Sequence, residues 1–159
     1  MTPAVRPATT GDAEELARLR WEFRIEAGTT ATHARDAFEE HMSGFAREAL
    51  EPGSPWRAWV AEESGRLVGC VWLRLLELIP HPGRGRDQRP IAYVSSMYVE
   101  PDRRNGGLGA ALLEAALGFA RERRAGGVIL WPSERSRPFY QRAGFGRPCG
   151  PLWLELQGD

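Results

Sequence analysis

The chain has 159 residues, enough for one domain with a sizeable core, and its 42% hydrophobic and 26% charged content is typical of a globular protein. A formal net charge of 0 argues against nucleic-acid binding, and no apolar run approaches the ~20 residues that cross a bilayer. The chain has two isolated cysteines, Cys70 and Cys149, which do not predict a disulfide framework. The N-terminus lacks a basic segment followed by an apolar one, so no secretory signal is predicted and the cytoplasm is the expected compartment.

The basic residues are unusual, because all 21 are arginine and no lysine occurs. Their distribution is uneven. Residues 1–100 contain 12 Arg and 15 acidic residues, whereas residues 101–159 contain 9 Arg and 6 acidic residues. The C-terminal part is therefore positive and favours a polyanionic small molecule. No pair of histidines has metal-ligand spacing with a third ligand, so no metal site is predicted.

The N-terminal third predicts one strand and two helices. Residues 4–7 read as a strand, and Thr9 and Asp12 have the spacing of a capping box. The helix that follows ends at Gly28. Its predicted apolar face consists of Leu16, Leu19, Phe23 and Ala27. Residues 34–50 predict a second, weaker amphipathic helix, with the inward-facing side chains Phe38, Met42 and Phe45.

The middle of the chain predicts three strands. Residues 56–62 and 67–79 are apolar runs joined by a short turn, which is the pattern of a hairpin. The second run is nearly continuous and is expected to be a central strand. Residues 80–90 predict a mobile loop, and residues 91–99 a third long strand that Pro101 stops.

The last third alternates between helices and strands. A leucine-rich helix begins near Leu108 and is predicted to end near Gly126. A short buried strand at 128–131, a short helix at 138–143 and a final strand at 153–156 follow. Together these elements predict a single α/β domain over residues 1–159, with a mixed sheet covered by helices on both faces.

The turn between the third long strand and the leucine-rich helix is the most informative segment. Glycines let the backbone approach a ligand, and the first amides of a helix attract an anion. The G-x-x-x-x-G-K-[ST] loop is excluded because the chain lacks lysine, and G-x-G-x-x-G because Leu112 replaces the third glycine. The pattern R-x-x-G-x-G, at Arg104, Gly107 and Gly109, remains. It predicts a pyrophosphate-binding loop, and the alternative is a turn that only connects two elements.

The wider context resembles the GNAT N-acetyltransferase superfamily. Three features occur in the family's order: the strand that leads through R-x-x-G-x-G into the leucine-rich helix, the short strand at 128–131, and Phe139-Tyr140-Gln141-Arg142-Ala143-Gly144-Phe145, which is similar to the family's F-Y-x-x-x-G-F signature. The resemblance covers nearly the whole chain. It implies a splayed, mostly antiparallel mixed sheet in which acetyl-CoA lies where two neighbouring strands part.

The resemblance also implies a set of cofactor-binding residues. The pantetheine arm would pair with the strand backbone, the pyrophosphate would lie on the glycine-rich loop, and a polar residue after the short strand would contact pantetheine. Carried onto this sequence, the expected residues are Met97, Tyr98, Val99, Arg104, Asn105, Gly106, Gly107, Leu108, Gly109, Ala110 and Ser133. Many relatives have Asn at the position of Ser133, whose hydroxyl can bond to pantetheine or cap the turn.

Two residues are expected to take part in catalysis. The Met97 amide would stabilise the charge on the thioester carbonyl, and Tyr140 would act as general acid toward the departing thiolate. The alternative for Tyr140 is a core residue with a solvated hydroxyl. The general base is left open among Glu26, Ser96, Glu77 and water. The strand glutamate of the histone-modifying branch is replaced here by Tyr93.

The sequence therefore predicts transfer of an acetyl group from acetyl-CoA to a primary amine of a small molecule or peptide, by direct attack and without a metal. The alternative is a non-catalytic acyl-CoA-binding sensor or interaction domain. No membrane or nucleic-acid partner is expected. The acceptor is not readable from the sequence, and a homodimer is neither indicated nor excluded.

Overall fold

A computed structural model describes residues 3–83 and 88–146. The strands are β1 Ala4–Pro7, β2 Trp56–Glu63, β3 Arg66–Leu76, β4 Ile91–Val99 and β5 Gly127–Ile129. The helices are α1 Ala13–Glu26, α2 Arg35–Ala49, α3 Leu108–Glu122 and α4 Arg137–Arg142. The predicted strand at 153–156 and Cys149 lie outside the described residues, as does part of the predicted loop at 80–90.

The strands form one sheet in the order β1-β2-β3-β4-β5. Neighbours from β1 to β4 are antiparallel, and β4 pairs with β5 in parallel. The β2–β3 hairpin closes through Ser64 and Gly65, both with positive φ (52° and 78°), as a tight two-residue turn requires. The sheet is therefore mixed and mostly antiparallel, which confirms the fold expected from the sequence.

Helices cover both faces of the sheet. One core cluster lies beneath α1 and α2 and includes Leu16, Leu19, Ala46, Val60 and Trp72. The other lies beneath α3 and includes Val71, Leu73, Val94, Leu112 and Ala116. The alternation of Val71, Trp72 and Leu73 between these clusters shows that β3 is buried on both faces, as its continuous apolar run predicts. No helix of the described residues is long and apolar enough to cross a membrane.

Helix α2 packs differently from the prediction. Its buried positions are Ser43, Ala46 and Ala49, whereas Phe45 is 39% exposed and lies against Trp56 and Trp72 at ring-centroid distances of 5.9 and 5.8 Å. Helix α2 packs closely on α1, and small side chains at the buried positions allow the two helices to approach each other. The aromatic side chains therefore lie at the rim of the interface, and the prediction that Phe45 faces inward was wrong.

Three predicted boundaries were too long. Strand β3 ends at Leu76 rather than 79, and α3 ends at Glu122 because Arg124 adopts a positive φ of 55° that terminates the helix before Gly126. Strand β5 ends at Ile129 rather than Trp131, where the chain leaves the sheet toward Pro132.

The short β5 opens the sheet beside β4. Only Ile91, Ala92 and Tyr93 pair with β5, so the rest of that edge has no strand partner among the described residues. On its other edge β4 carries a bulge opposite Val71, where Ser96 has φ 49° and its carbonyl accepts a hydrogen bond from the Cys70 thiol at 3.5 Å. The expected splay between two neighbouring strands is therefore present.

Candidate active site

A cleft of about 770 Å³ occupies the space where β4 and β5 diverge. We call it the β4–β5 cleft. Its walls are the last turns of α1, the open edge of β4 and the segment that joins β5 to α4. It is lined by Arg20, Phe23, Arg24, Glu26, Ala27, residues 93–99, Arg104, residues 130–136 and Tyr140. Aromatic and apolar side chains share these walls with charged and hydroxyl groups, and a concave site in which polar groups converge is characteristic of small-molecule binding.

The glycine-rich loop forms the start of α3. Asn105 and Gly107 adopt the left-handed conformation (φ 64° and 81°), which turns the chain from β4 into the helix. The first bond of the helix is donated by the Ala111 amide to the Gly107 carbonyl. No side chain of the described residues caps this end of α3. The amides that precede Ala111 are therefore oriented to receive an anion with the helix dipole behind them.

Gly109 has a packing role rather than a conformational one. It lies in the first turn of α3, and its φ is not positive. A Cβ atom built there would lie 3.5 Å from Met97 Cε and 3.6 Å from Phe139 Cε2. A single Cβ would therefore fit at van der Waals distance, whereas a larger side chain would meet Met97 of β4 and Phe139 of α4. The two glycines of R-x-x-G-x-G consequently serve different purposes.

Tyr140 lies at the open edge of β4. Its hydroxyl donates to Met97 Sδ at 3.6 Å, and its ring contacts Phe139 and Phe145 at centroid distances of 5.1 and 5.7 Å. Burial raises the pKa of Tyr140 above its ordinary value, so the phenol is protonated at neutral pH. The two predicted catalytic residues therefore meet in the cleft, with Tyr140 in the form that can donate a proton.

Arg104 is held by an acidic partner. Its Nη1 and Nη2 atoms donate to Glu26 at 2.8 and 2.7 Å, and its Nε donates to the Val99 carbonyl at 2.9 Å. Arg135 donates to the same carboxylate at 2.8 Å. The hydrogen bond from Arg104 is the main cause that lowers the pKa of Glu26 to about 2. Such a carboxylate is a weak proton acceptor, and arginines occupy both of its oxygens, which argues against Glu26 as the general base.

The other polar candidates have different surroundings. The Ser133 hydroxyl donates to Ser136 Oγ at 2.9 Å and accepts from the Ser136 amide at 3.2 Å, so it caps the turn before α4 while facing the cleft. Ser96 accepts from Arg20 Nη1 at 3.3 Å. Glu77 is exposed and does not line the cleft. Of the side chains proposed as bases, Ser96 and Glu26 are therefore the two that lie at the cleft.

Comparison with known proteins gives the family. The family model described as "Acetyltransferase (GNAT) family" matches residues 13–145. The chain belongs to the GNAT acetyltransferase family. It is 31% identical over 151 residues to the mycothiol acetyltransferase of Cellulomonas flavigena, which covers 91% of this chain and 40% of that protein. It is also 33% identical over 104 residues to the glucosamine 6-phosphate N-acetyltransferase of Trypanosoma brucei brucei, covering 65% of this chain and 67% of that protein.

Solved structures agree on the fold. A predicted acetyltransferase from Clostridium acetobutylicum, solved with acetyl-CoA, has a TM-score of 0.82 at 22% identity and covers 98% of this chain and 96% of its own. A GCN5-related N-acetyltransferase from Ralstonia eutropha JMP134 has a TM-score of 0.78 at 27% identity and covers 96% and 98%. The chain spans only about 40% of the length of the mycothiol acetyltransferase of Cellulomonas flavigena, so the similarity concerns the shared GNAT domain.

The GNAT fold brings most of the predicted site residues together. The residues that line the cleft are Met97, Tyr98, Val99, Arg104, Ser133 and Tyr140. The others, residues 105–110, form the loop and first helical turn that follow β4. Their contacts with acetyl-CoA stay a prediction, since the family establishes the fold and the reaction class rather than each contact in this chain.

Sequence reasoning missed the arginines of α1. Arg20 and Arg24 both line the cleft. The available signal was periodicity, because Arg20 stands four residues after Leu16 and three before Phe23, within the apolar stripe of the helix. A charged residue in such a stripe is expected to reach a polar cavity.

Proposed function

We propose that the protein transfers the acetyl group of acetyl-CoA to a primary amine by direct attack. The observation that carries the proposal is the cleft itself. One edge of β4, which beyond Tyr93 has no strand partner among the described residues, runs past the Tyr140 hydroxyl toward the start of α3, which no described side chain caps. An extended pantetheine arm can pair with such an edge as an added strand would. Its pyrophosphate would then lie on the amides of residues 105–110.

In this arrangement the amine nitrogen attacks the thioester carbonyl at Met97. The Met97 amide stabilises the negative oxygen of the tetrahedral intermediate. As that intermediate collapses, the new C–N bond is retained, the C–S bond breaks, and the CoA sulfur receives the Tyr140 proton. The excess proton on nitrogen passes to solvent in the cleft and re-protonates the phenolate. Only the neutral amine can attack, so water first takes the proton of the ammonium form, and a carboxylate base is not required.

The proposal makes acetyl-CoA a specific ligand. A ligand that binds only the folded state adds about 2.7 kcal/mol of stability at 100 times its Kd. Acetyl-CoA should therefore raise the Tm clearly, whereas nicotinamide and adenine dinucleotides should raise it much less. Equal shifts from NAD and CoA would contradict the cofactor assignment.

Turnover separates the enzyme from its rival, the acyl-CoA sensor. Consumption of acetyl-CoA should be measured against a panel of amines, because both hypotheses predict binding and only the enzyme predicts release of CoA that depends on the amine. Binding without release with every acceptor would favour the sensor. A cytoplasmic location stays a prediction of the sequence, which does not decide whether the protein forms a homodimer.

A further inference from the structure

We infer that the acceptor amine carries an anionic group, a carboxylate or a phosphate, and that Arg20 and Arg24 of α1 bind it. This inference rests on the proposed function, because it concerns the acceptor side of the same cleft. It names a class of acceptor, which could not be inferred from the sequence.

The first observation behind this inference is the environment of the Arg20 side chain. Its side chain is half-buried, faces the cleft, and donates to the neutral Ser96 hydroxyl at 3.3 Å. Among residues 3–83 and 88–146, no carboxylate forms an ion pair with it. Burial, reinforced by repulsion from Arg24, lowers the pKa of Arg20. A desolvated guanidinium without a counter-ion is costly, and an anionic ligand would supply the missing partner.

Arg24 doubles the positive charge at the same place. It lies one helical turn after Arg20. The guanidinium carbon of Arg24 is 6.0 Å from the centre of the Phe23 ring, and that of Arg20 is 5.6 Å from it. Arg24 is exposed and, like Arg20, has no ion pair within the part of the chain that the structure describes. Residues four apart lie on the same face of a helix, and the repulsion from Arg24 that Arg20 experiences shows that the two charges are close. Each guanidinium group can donate N–H bonds to the oxygens of one carboxylate or phosphate.

The charge balance of the cleft supports an anion. Its described lining contains four arginines, Arg20, Arg24, Arg104 and Arg135, and two glutamates, Glu26 and Glu134. Glu26 neutralises charge on Arg104 and Arg135, and Glu134 pairs with Arg137 outside the lining at 3.2 Å. One positive charge therefore remains at the Arg104–Glu26–Arg135 group, and Arg20 and Arg24 add two more that have no carboxylate partner among the described residues.

The position of this charge assigns it to the acceptor rather than to the CoA pyrophosphate. Arg20 contacts Ser96, which precedes Met97 in β4, whereas the glycine-rich loop begins after Val99. Ser96, the hydrogen-bond partner of Arg20, and the glycine-rich loop therefore lie on opposite sides of Met97 along the strand. An acceptor bound by Arg20 would approach the thioester from the side that CoA leaves open. Trp131, 58% exposed, and Tyr93 form the facing aromatic wall, with ring centroids 5.2 Å apart.

The binding part of the inference can be tested without turnover. The full chain is saturated with CoA to fill the pyrophosphate site and is titrated with inorganic phosphate or acetate, while the arginine Nε–H signals are followed by NMR. We expect saturable shifts in the wild type, loss of these shifts in Arg20→Gln, and their retention in Arg47→Gln, an exposed arginine of α2 outside the cleft. Absence of saturation in the wild type, or unchanged saturation in Arg20→Gln, would overturn the inference.

Turnover tests the substrate class. Two pairs of amines differ mainly in the anion: glucosamine 6-phosphate with glucosamine, and 4-aminobutyrate with butylamine. In at least one pair kcat/KM should favour the anionic member by roughly 10-fold or more, and this preference should fall toward one in Arg20→Gln. The pair that shows the preference distinguishes phosphate from carboxylate. Equal kcat/KM within both pairs would overturn the inference.

The two experiments also separate this inference from the proposed function. Anion binding at Arg20 without acetylation of any amine would contradict the proposed function alone. Acetylation of amines without anion binding would contradict the inference alone.

Discussion

Arg18 and Arg20 lie two residues apart on α1 and have opposite surroundings. Arg18 donates to the carboxylates of Glu15, Glu22 and Glu100 and to the Leu67 carbonyl, and its side chain is 15% exposed. Burial opposes its charge, but the hydrogen bonds outweigh this and its pKa is raised. Arg20 has a serine hydroxyl as its side-chain partner among the described residues, and its pKa is lowered.

The difference separates the scaffold from the site. Arg18 joins α1 to the side of β4 that is fully paired with β3, where Glu100 also accepts from Arg66 at 2.6 and 2.7 Å. Every charge there has its partner inside the protein. Arg20 faces the other side of β4, where the strand beyond Tyr93 has no partner among the described residues. The proposed anionic ligand would bind there. Substitutions on the paired side should change stability, and those on the open side should change binding and rate.

The largest effect is expected from Arg18→Met. It leaves Glu100, whose side chain is 9% exposed, with one partner fewer and removes the bonds to Glu15 and Glu22. Breaking a partly buried ion-pair network of this kind should lower the free energy of unfolding by about 3 kcal/mol. Chemical denaturation measures this loss.

Arg20→Met is the matched control. It breaks no ion pair within the described residues but loses the hydrogen bond to Ser96 and one cation–π contact with Phe23. Removal of a desolvated charge offsets these losses, so the free energy of unfolding should change by less than about 1 kcal/mol. Equal destabilisation by the two variants would show that both arginines belong to the scaffold.

Tyr140→Phe should slow turnover by about 10²-fold, the low end for general acid–base catalysis. The change removes the proposed proton donor and one weak bond to Met97 but keeps the ring between Phe139 and Phe145. Tm and acetyl-CoA affinity should therefore stay close to the wild-type values. Single-turnover rates and a pH–rate profile at saturating acetyl-CoA measure the effect. A wild-type rate at every pH would assign Tyr140 to the core and require another acid.

Gly109→Val should weaken acetyl-CoA binding by roughly 10-fold or more, because its methyl groups would press on Met97 and Phe139 and displace the amides that face the pyrophosphate. Gly109→Ala is the control, since a single Cβ meets only ordinary van der Waals contacts. Calorimetry on both variants measures the affinity. If valine left the affinity unchanged, the loop would be a connector and the alternative from the sequence would hold.

The smallest effect is expected from Glu26→Gln. Glu26 holds both guanidinium nitrogens of Arg104, so a CoA phosphate must compete with it. A partly exposed pair of this kind is worth little, and its removal should raise CoA affinity by about 2- to 5-fold. A weaker affinity in the variant would instead show that Glu26 orients Arg104 for the ligand.

The sequence predicted the parts of the molecule whose signals are local. The bounds of β4 follow from its alternating apolar residues and Pro101, and the start of α3 follows from Gly107. The end of α3 did not follow, because Arg124 takes a positive φ without a glycine to signal it. Nor did the role of Arg20, because the partners of a charged side chain depend on tertiary contacts. Only the packing of α1 against the two sides of β4 shows that Arg18 has carboxylate partners and that Arg20 has none among the described residues.

The buried thiol of Cys70 lies close to the proposed position of the acetyl-CoA thioester, so its reactivity matters. It is 1% exposed and bonds to the Ser96 carbonyl, next to the Met97 amide proposed to face the thioester. Burial raises the pKa of Cys70 to about 12, so the nucleophilic thiolate does not form at neutral pH. The sequence also contains no lysine, so no side-chain amine is present to accept the acyl group. Among the described residues, neither a thiolate nor a lysine amine is therefore present to take the acyl group from the proposed thioester.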